Sequence, residues 1–351
     1  MSTPVVNGTT PETFLLPPNC DQQQWCLDWY GYVNYLPSVA GNAFFLAAFS
    51  VGLITQLFLG IRYRAWTFTG PMLVGIILEI VGYGGRIGMH QDVFSDSWFI
   101  MYLCCLTIAP ALFSAALYLS LSRIIAIYSN NHAKLSLLAP RTITLSFITF
   151  DFLSLLLQAI GGALASTAST PETRDTGVNI MVAGLSTQVA ATTLFAVLCL
   201  HLMYTIRKRP ERVDNASTDK VTLRQSKRFK GFLIAVGVAV ITILIRCAFR
   251  VAELSEGFKG ELANNETLFM IFDSTMMVIC VAVLSAAHPG WVMGGWWKMG
   301  QVSFRGRKRA TLGGADGVAS EGGLEQHANK DEKRGAAGAG VSSGSTSDSV
   351  S

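Results

Sequence analysis

Three charged residues lie close together in a segment that is otherwise as apolar as lipid. Arg246, Arg250 and Glu253 fall near the end of the stretch 231–254, which begins GFLIAVGVAVITI. Residues three or four apart share one face of an α-helix, so the three side chains form a single stripe. A charge in hydrocarbon is costly, and we therefore expect this stripe to face other protein groups rather than lipid.

Other apolar stretches carry charges that match this stripe. Glu79, Tyr83 and Arg86 share one helical face within LEIVGYGGR, and Asp273 lies about two turns after Glu266. We predict that acidic and basic groups meet at similar depth, three against three, and line a cavity open to the outer side of the membrane. The members of this set are Glu79, Glu253, Asp273, Arg86, Arg246 and Arg250.

Further polar residues, one of them acidic, extend the same pattern. Asp151 and Gln158 are on one face of FITFDFLSLLLQAIGGAL, and Gln188 lies one turn after Gly184. We expect Asp151, Gln158 and Gln188 to line the same cavity. The alternative is a buried ion-pair network that only fixes helix packing. Because ionisable groups within a membrane are functional candidates by default, the cavity is the favoured interpretation.

The elements that must position these residues are membrane-spanning helices. Half of the 351 residues are hydrophobic and only 14% are charged, whereas a soluble domain carries about a quarter charged residues. Seven stretches reach the roughly 20 apolar residues that a spanning helix needs. The sequence therefore predicts an all-α, integral membrane bundle of seven helices. The predicted spans are 33–59, 68–89, 98–127, 142–166, 179–206, 231–254 and 266–288.

The distribution of basic residues predicts the orientation. Nine Lys and Arg residues fall in 207–230, and five more in 298–309, whereas 1–30 has none. Basic residues concentrate in cytoplasmic loops, so we expect the N-terminus outside and the C-terminus in the cytosol. We expect a multi-pass protein that lies in the plasma membrane, and the alternative location is an endomembrane.

Three regions follow from this pattern: an extracellular segment 1–32, the bundle 33–290 and a cytosolic tail 291–351. The tail is rich in Gly, Ala and Ser and has few large apolar residues, so we expect it to be disordered. Asn7-Gly-Thr is a glycosylation acceptor sequon on the outer side. Cys20 and Cys26 are in the same segment, where a disulfide is chemically allowed and free thiols are the alternative.

Taken together, several segments resemble one family, the fungal RTA-like lipid-translocating exporters. The resemblance covers about 30–290, and one departure is YVNYLPS, where members look more like YVPS. The resemblance implies seven spans with an external N-terminus. It also implies one of two functions: export or flipping of sphingoid long-chain bases, or tolerance of toxic amphiphiles such as aminosterols. It supplies no established catalytic residues. The matching segments are YGYVNYLPSVAGNAFFLAAF, LEIVGYGGR, LTIAPALFSAALYLSLSRII, FDFLSLLLQAIGG, IMVAGLSTQ, IRCAFRVAELSEGFKGELANNE and HPG.

Three functional classes of seven-span membrane protein differ in the residues that they need. A transporter or translocase of amphipathic lipids is favoured, because buried carboxylates can pair with a cationic head group while the tail stays in lipid. A seven-helix lipid or stress sensor is the alternative. A zinc hydrolase is disfavoured, since it needs about three converging ligands and the spans hold only His201 and His288. We expect no enzyme activity, metal, cofactor or nucleic acid partner; membrane lipids are the expected partners, and the oligomeric state stays open.

Overall fold

The computed structural model describes residues 35–92, 94–128, 140–167, 170–208, 226–257 and 260–294. The chain divides into two units, Met1–Trp297 and Lys298–Ser351, and all described residues belong to the first. Asn7, Cys20 and Cys26 lie outside the described residues, as do nearly all of the predicted outer segment and of the predicted tail. The three-region division, the glycosylation site and the disulfide therefore stay predictions.

The described residues form an all-α bundle, and seven of its helical stretches are long and apolar enough to cross a membrane. The predicted fold class is confirmed. The first six spans are α1 (Val39–Tyr63), α2 (Trp66–Gln91), α3 (Asp96–Tyr128), α4 (Pro140–Ser166), α5 (Pro171–Lys208) and α6 (Lys227–Ser255). The seventh consists of α7 (Glu266–Phe269), a π-helical turn (Met270–Thr275), α8 (Met276–Ala286) and α9 (Pro289–Met293).

The spans pack as a closed ring. Each one contacts the next in sequence, and α8 contacts both α6 and α1. Large apolar side chains such as Phe44, Leu200 and Ile234 are exposed on the outside, as lipid contact requires. Polar and charged side chains are buried on the inside, so the ring gathers them into one interior.

Glycines set the close contact between α4 and α5. A Cβ added at Gly177 would lie 2.5 Å from the backbone nitrogen of Ala165, and one at Gly161 would lie 2.6 Å from the carbonyl oxygen of Gly177. Only a residue without a side chain fits at such distances. Small residues at helix interfaces let backbones approach in this way within membranes.

The seventh span differs from the uninterrupted helix that hydropathy predicts. The turn Met270–Thr275 is wound as a π-helix, in which Thr275 Oγ1 donates to the carbonyl of Met270 at 2.8 Å. The wider winding lets the consecutive residues Asp273 and Ser274 both be buried. Single π-helical turns inside α-helices often mark functional sites.

Candidate functional site

Four charged residues form a buried network at the junction of α6 and the π-helical turn. Asp273 Oδ1 accepts from Arg250 Nε at 2.8 Å and lies 3.1 Å from Arg246 Nε. Arg250 Nη1 also donates to Glu253 Oε2 at 3.1 Å. Each of the four is at most 7% exposed. We call Arg246, Arg250, Glu253 and Asp273 the central ion network; its two positive and two negative charges balance.

The central ion network contacts α3 at a backbone carbonyl that a proline leaves without a donor. Pro110 has no backbone N–H, so the carbonyl of Leu106, four residues earlier, lacks its usual intrahelical donor. Arg246 Nη2 donates to that carbonyl oxygen. The guanidinium therefore satisfies a backbone group that the proline leaves free, and it joins α6 to α3.

Glu79 lies next to the central ion network without joining it. Its side chain is fully buried, and neither carboxylate oxygen has a hydrogen-bond partner among the described residues. Arg246, Asp273 and Arg250 are charged groups around it. Tyr83, one turn further along α2, is also fully buried, and its hydroxyl lies near Ser274 of the π-helical turn.

Arg86 belongs to a second cluster, where the start of α1, the end of α2 and the start of α7 meet. Its Nη2 donates to the Tyr35 hydroxyl at 2.7 Å, and its Nε donates to Asn42 Oδ1 at 3.0 Å. Its carboxylate partner is Glu266, at 3.8 Å. Glu266 in turn accepts from the backbone N–H of Ser38 at 2.7 Å, so this Arg86 cluster also fixes the first turn of α1.

Phe269 lies between the two clusters. The Cζ atom of Arg86 is 4.1 Å from the centre of its ring, and the Cζ atom of Arg250 is 5.1 Å away. Both distances are within the cation–π range. The ring is 2% exposed. It is an apolar group between the Arg86 cluster and the central ion network.

The polar residues of α4 and α5 form two separate groups, a glutamine pair and an aspartate beside a tyrosine. Gln158 Nε2 donates to Gln188 Oε1 at 3.3 Å, which connects these two helices. Asp151 is 4% exposed and lies beside the Tyr118 hydroxyl, which is its polar neighbour. The ring of Tyr118 packs against Phe195, with centroids 4.6 Å apart. Asp151 thus adjoins an aromatic cluster rather than the central ion network.

A small cavity lies between α3, α4, α5 and α6. Its volume is about 10 Å³, which is room for about one water molecule. Gln158, Gln188, Arg246 and Arg250 contribute its polar lining, together with apolar residues that include Leu103 and Leu185. Four of the ten residues predicted to line a cavity thus border this space, which is narrow in this conformation. The shared cavity stays a prediction.

The sequence-predicted residues thus come together in part. Arg246, Arg250, Glu253 and Asp273 are in direct contact, Glu79 is adjacent, and Arg86 pairs with Glu266 instead of a predicted carboxylate. Sequence reasoning missed several contacting residues. The sequence features that could have indicated them are a proline within an apolar stretch and polar residues at the start of two spans. The missed residues are Tyr35, Asn42, Leu106, Glu266 and Phe269.

His201 and His288, the two histidines of the predicted spans, are not arranged as metal ligands. His288 is buried and accepts from the backbone N–H of Gly290 at 3.2 Å, which caps α9, while its Nε2 lies 3.1 Å from Thr69 Oγ1. His201 is exposed. Among the described residues, no three His, Cys, Asp or Glu side chains are grouped closely enough to hold a metal ion.

Comparison with known proteins identifies relatives over most of the chain. The family described as RTA1 like protein matches residues 72–295. The chain is 30% identical to the sphingoid long-chain base transporter RSB1 of Saccharomyces cerevisiae, over 75% of each chain. It is 30% identical to protein RTA1 of the same yeast, over 62% of this chain and 65% of the relative.

A third relative, protein RTM1 of Saccharomyces cerevisiae, is 27% identical over 66% of this chain and 72% of its own length. No solved structure matches the chain. The family match covers more than half of the chain, and it includes α3, α4, α5, α6 and the whole composite seventh span. The protein is therefore a member of the RTA1-like family.

Proposed function

We propose that this protein translocates amphipathic lipids with a cationic head group, of the sphingoid long-chain base type, across or out of the membrane. One observation carries the proposal: carboxylates are buried at the centre of a membrane bundle beside polar atoms that have no partner. One relative is a sphingoid long-chain base transporter, which supports the same substrate class. Tolerance of toxic amphiphiles follows if such lipids are removed from the cell.

The unpaired atoms complement such a head group chemically. Both Glu79 oxygens and Asp273 Oδ2 are acceptors without a donor, and Arg250 Nη2 is a donor without an acceptor, among the described residues. A long-chain base carries an ammonium group, which donates, and hydroxyls, which both donate and accept. Buried polar groups are normally paired, so the interior has unused capacity that this head group would fill.

The proposed path keeps the tail in lipid while the head group crosses the bundle interior. A cavity of about 10 Å³ is too small for a head group, so transport requires an opening of the bundle. Phe269 and the Arg86 cluster lie at the end of the interior where α1 begins. With the orientation that basic residues predict, this is the outer end, and Phe269 must move for a lipid to leave there.

A seven-helix lipid sensor is the second candidate, favoured by the same small cavity. A bundle that binds a head group and changes shape without releasing it to the other leaflet would need no continuous path. The two candidates differ in one observable quantity. A translocase changes the distribution of the lipid between the two sides, whereas a sensor leaves it unchanged.

Efflux from cells tests the proposal and the direction of transport. Cells with and without this protein are loaded with a labelled long-chain base, and the label that appears in the medium with an acceptor protein is followed. We expect faster release in cells that hold the protein, and no change for a labelled neutral ceramide. Equal release of the base in both cell types, at verified surface expression, would contradict the proposal.

A further inference from the structure

Glu79 is a buried carboxylate beside the central ion network, and it forms no salt bridge with any described residue. Arg246 and Arg250 pair with Asp273 and Glu253, and Arg86 pairs with Glu266. No arginine of these pairs is left over for Glu79. The other buried carboxylate outside these ion pairs, Asp151, lies beside Tyr118 and its aromatic neighbour Phe195 instead.

The surroundings of Glu79 disfavour its ionised form in this conformation. The side chain is fully buried, and no donor reaches either oxygen from the described residues. An ionised carboxylate without a donor is costly to bury, and such a group is neutralised by a proton or by a cation. Phe45 and Phe49 of α1, which stack on Tyr83, do not titrate. The titratable or charged groups around Glu79 are Tyr83, Cys105, Arg246, Arg250, Asp273 and Cys280.

We propose that Glu79 is a proton-exchange site that holds a proton in the closed, empty bundle and releases it when the cationic head group binds. The step is balanced: the O–H bond of the carboxylic acid breaks, its electron pair stays on the carboxylate, the proton passes to water, and the substrate cation replaces it. Total charge is conserved and no electron is transferred. The inference rests on the proposed substrate class and adds the coupling ion: one proton is exchanged for one lipid cation.

Proton exchange makes binding of the cation depend on pH in a defined direction. Because binding releases a proton, a higher pH favours the bound state. Linkage requires the affinity for a permanently charged cation to rise about tenfold per pH unit wherever the free site is protonated. A proton gradient directed into the cell would then drive export of the lipid cation.

A long-chain base with a trimethylated nitrogen is the decisive ligand. It is always cationic and carries no proton of its own, so any proton released on binding comes from the protein. The purified full-length protein in detergent is mixed with this compound in weak buffer, and the proton release is followed with a pH-sensitive dye. In parallel, infrared difference spectra follow the carbonyl band of a protonated carboxylic acid in the wild-type protein.

We expect about one proton released per bound cation, loss of a carboxylic acid band, and an affinity that rises with pH. Glu79→Gln should release no proton and bind independently of pH. Glu79→Asp keeps a titratable group and should retain the release. Glu261→Gln makes the same chemical change at an exposed position and should behave as the wild type.

The outcomes separate the two proposals. Binding without proton release and without pH dependence, or an equal release from Glu79→Gln, would overturn the exchange site and leave the proposed transport intact. Proton release without transfer of the lipid in vesicles would overturn the transport and leave the exchange site intact. Absence of binding at every pH would overturn both. The infrared measurement on the wild type decides the matter if Glu79→Gln does not fold.

Discussion

Replacing Asp273 by Asn should destabilise the bundle strongly, because one carboxylate oxygen serves two guanidinium groups. Asp273 Oδ1 lies 2.8 Å from Arg250 Nε and 3.1 Å from Arg246 Nε, and the side chain is fully buried. Asn keeps the shape but removes the charge. Breaking a buried pair by removing one partner costs about 3–5 kcal/mol. For a protein of this size, that corresponds to a Tm lower by about 6–20 °C.

Thermal unfolding in detergent measures this effect. Cys247 and Cys280 are buried, so a dye that fluoresces on reaction with thiols reports their exposure as the protein is heated. Wild type and variants are compared at one heating rate, because unfolding of such proteins is often irreversible. Glu261→Gln is the matched control. It makes the same kind of change, from a carboxylate to an amide, at an exposed position, so the cost should be below about 1 kcal/mol.

A double variant tests the cause of the loss. In Asp273→Asn, the two arginines face only Glu253, so one positive charge is in excess. Adding Arg246→Gln removes that charge and keeps a donor for the carbonyl of Leu106. We expect the double variant to be no less stable than Asp273→Asn alone, since contacting residues do not contribute additively. A Tm for Asp273→Asn within about 2 °C of the wild type, or losses that simply add, would refute the reasoning.

Three further predictions concern other parts of the chain. Gly177→Ala should cost about 1–3 kcal/mol of stability, since its Cβ would meet backbone atoms of α4. Gly237→Ala, which has open space around it, should be neutral or stabilising by up to about 1 kcal/mol, and equal Tm values for the two variants would contradict the packing. Phe269→Leu should lower the stability by about 1–3 kcal/mol, because it removes contacts with the two flanking guanidinium groups, and an unchanged Tm would show that these contacts contribute nothing. A protease added to intact cells should cleave a tag at the N-terminus but not one within 209–225, because nine basic residues in 207–230 predict a cytosolic loop. The reverse cleavage pattern would show that the topology is inverted.

The helices could be predicted from the sequence because apolar length alone specifies a spanning segment. The predicted span 98–127 corresponds to Asp96–Tyr128, and 231–254 lies within Lys227–Ser255. The seventh span could not be predicted in full. Its π-helical turn carries Asp273, which contacts Arg246 and Arg250 of α6, and hydropathy does not report how the backbone is wound.

Arg246, Arg250 and Glu253 are buried, and their burial could be inferred because a charge within an apolar stretch is costly in lipid. The partners were harder to predict. Helical spacing gives the face and the approximate depth of a side chain, but not which neighbouring helix it reaches. Arg86 therefore pairs with Glu266, and Arg246 reaches the carbonyl of Leu106, although the free carbonyl itself could have been inferred from Pro110.

The central claim is that this chain alone moves a cationic lipid between leaflets. Purified protein reconstituted into liposomes, with a labelled long-chain base added to one leaflet, tests it most directly when the rate of leaflet transfer is compared with that of protein-free liposomes. We expect faster transfer of the base with the protein, no acceleration for a neutral ceramide, and loss of the acceleration in Glu79→Gln that is folded by the thermal assay. Equal transfer rates with and without the protein would contradict the claim.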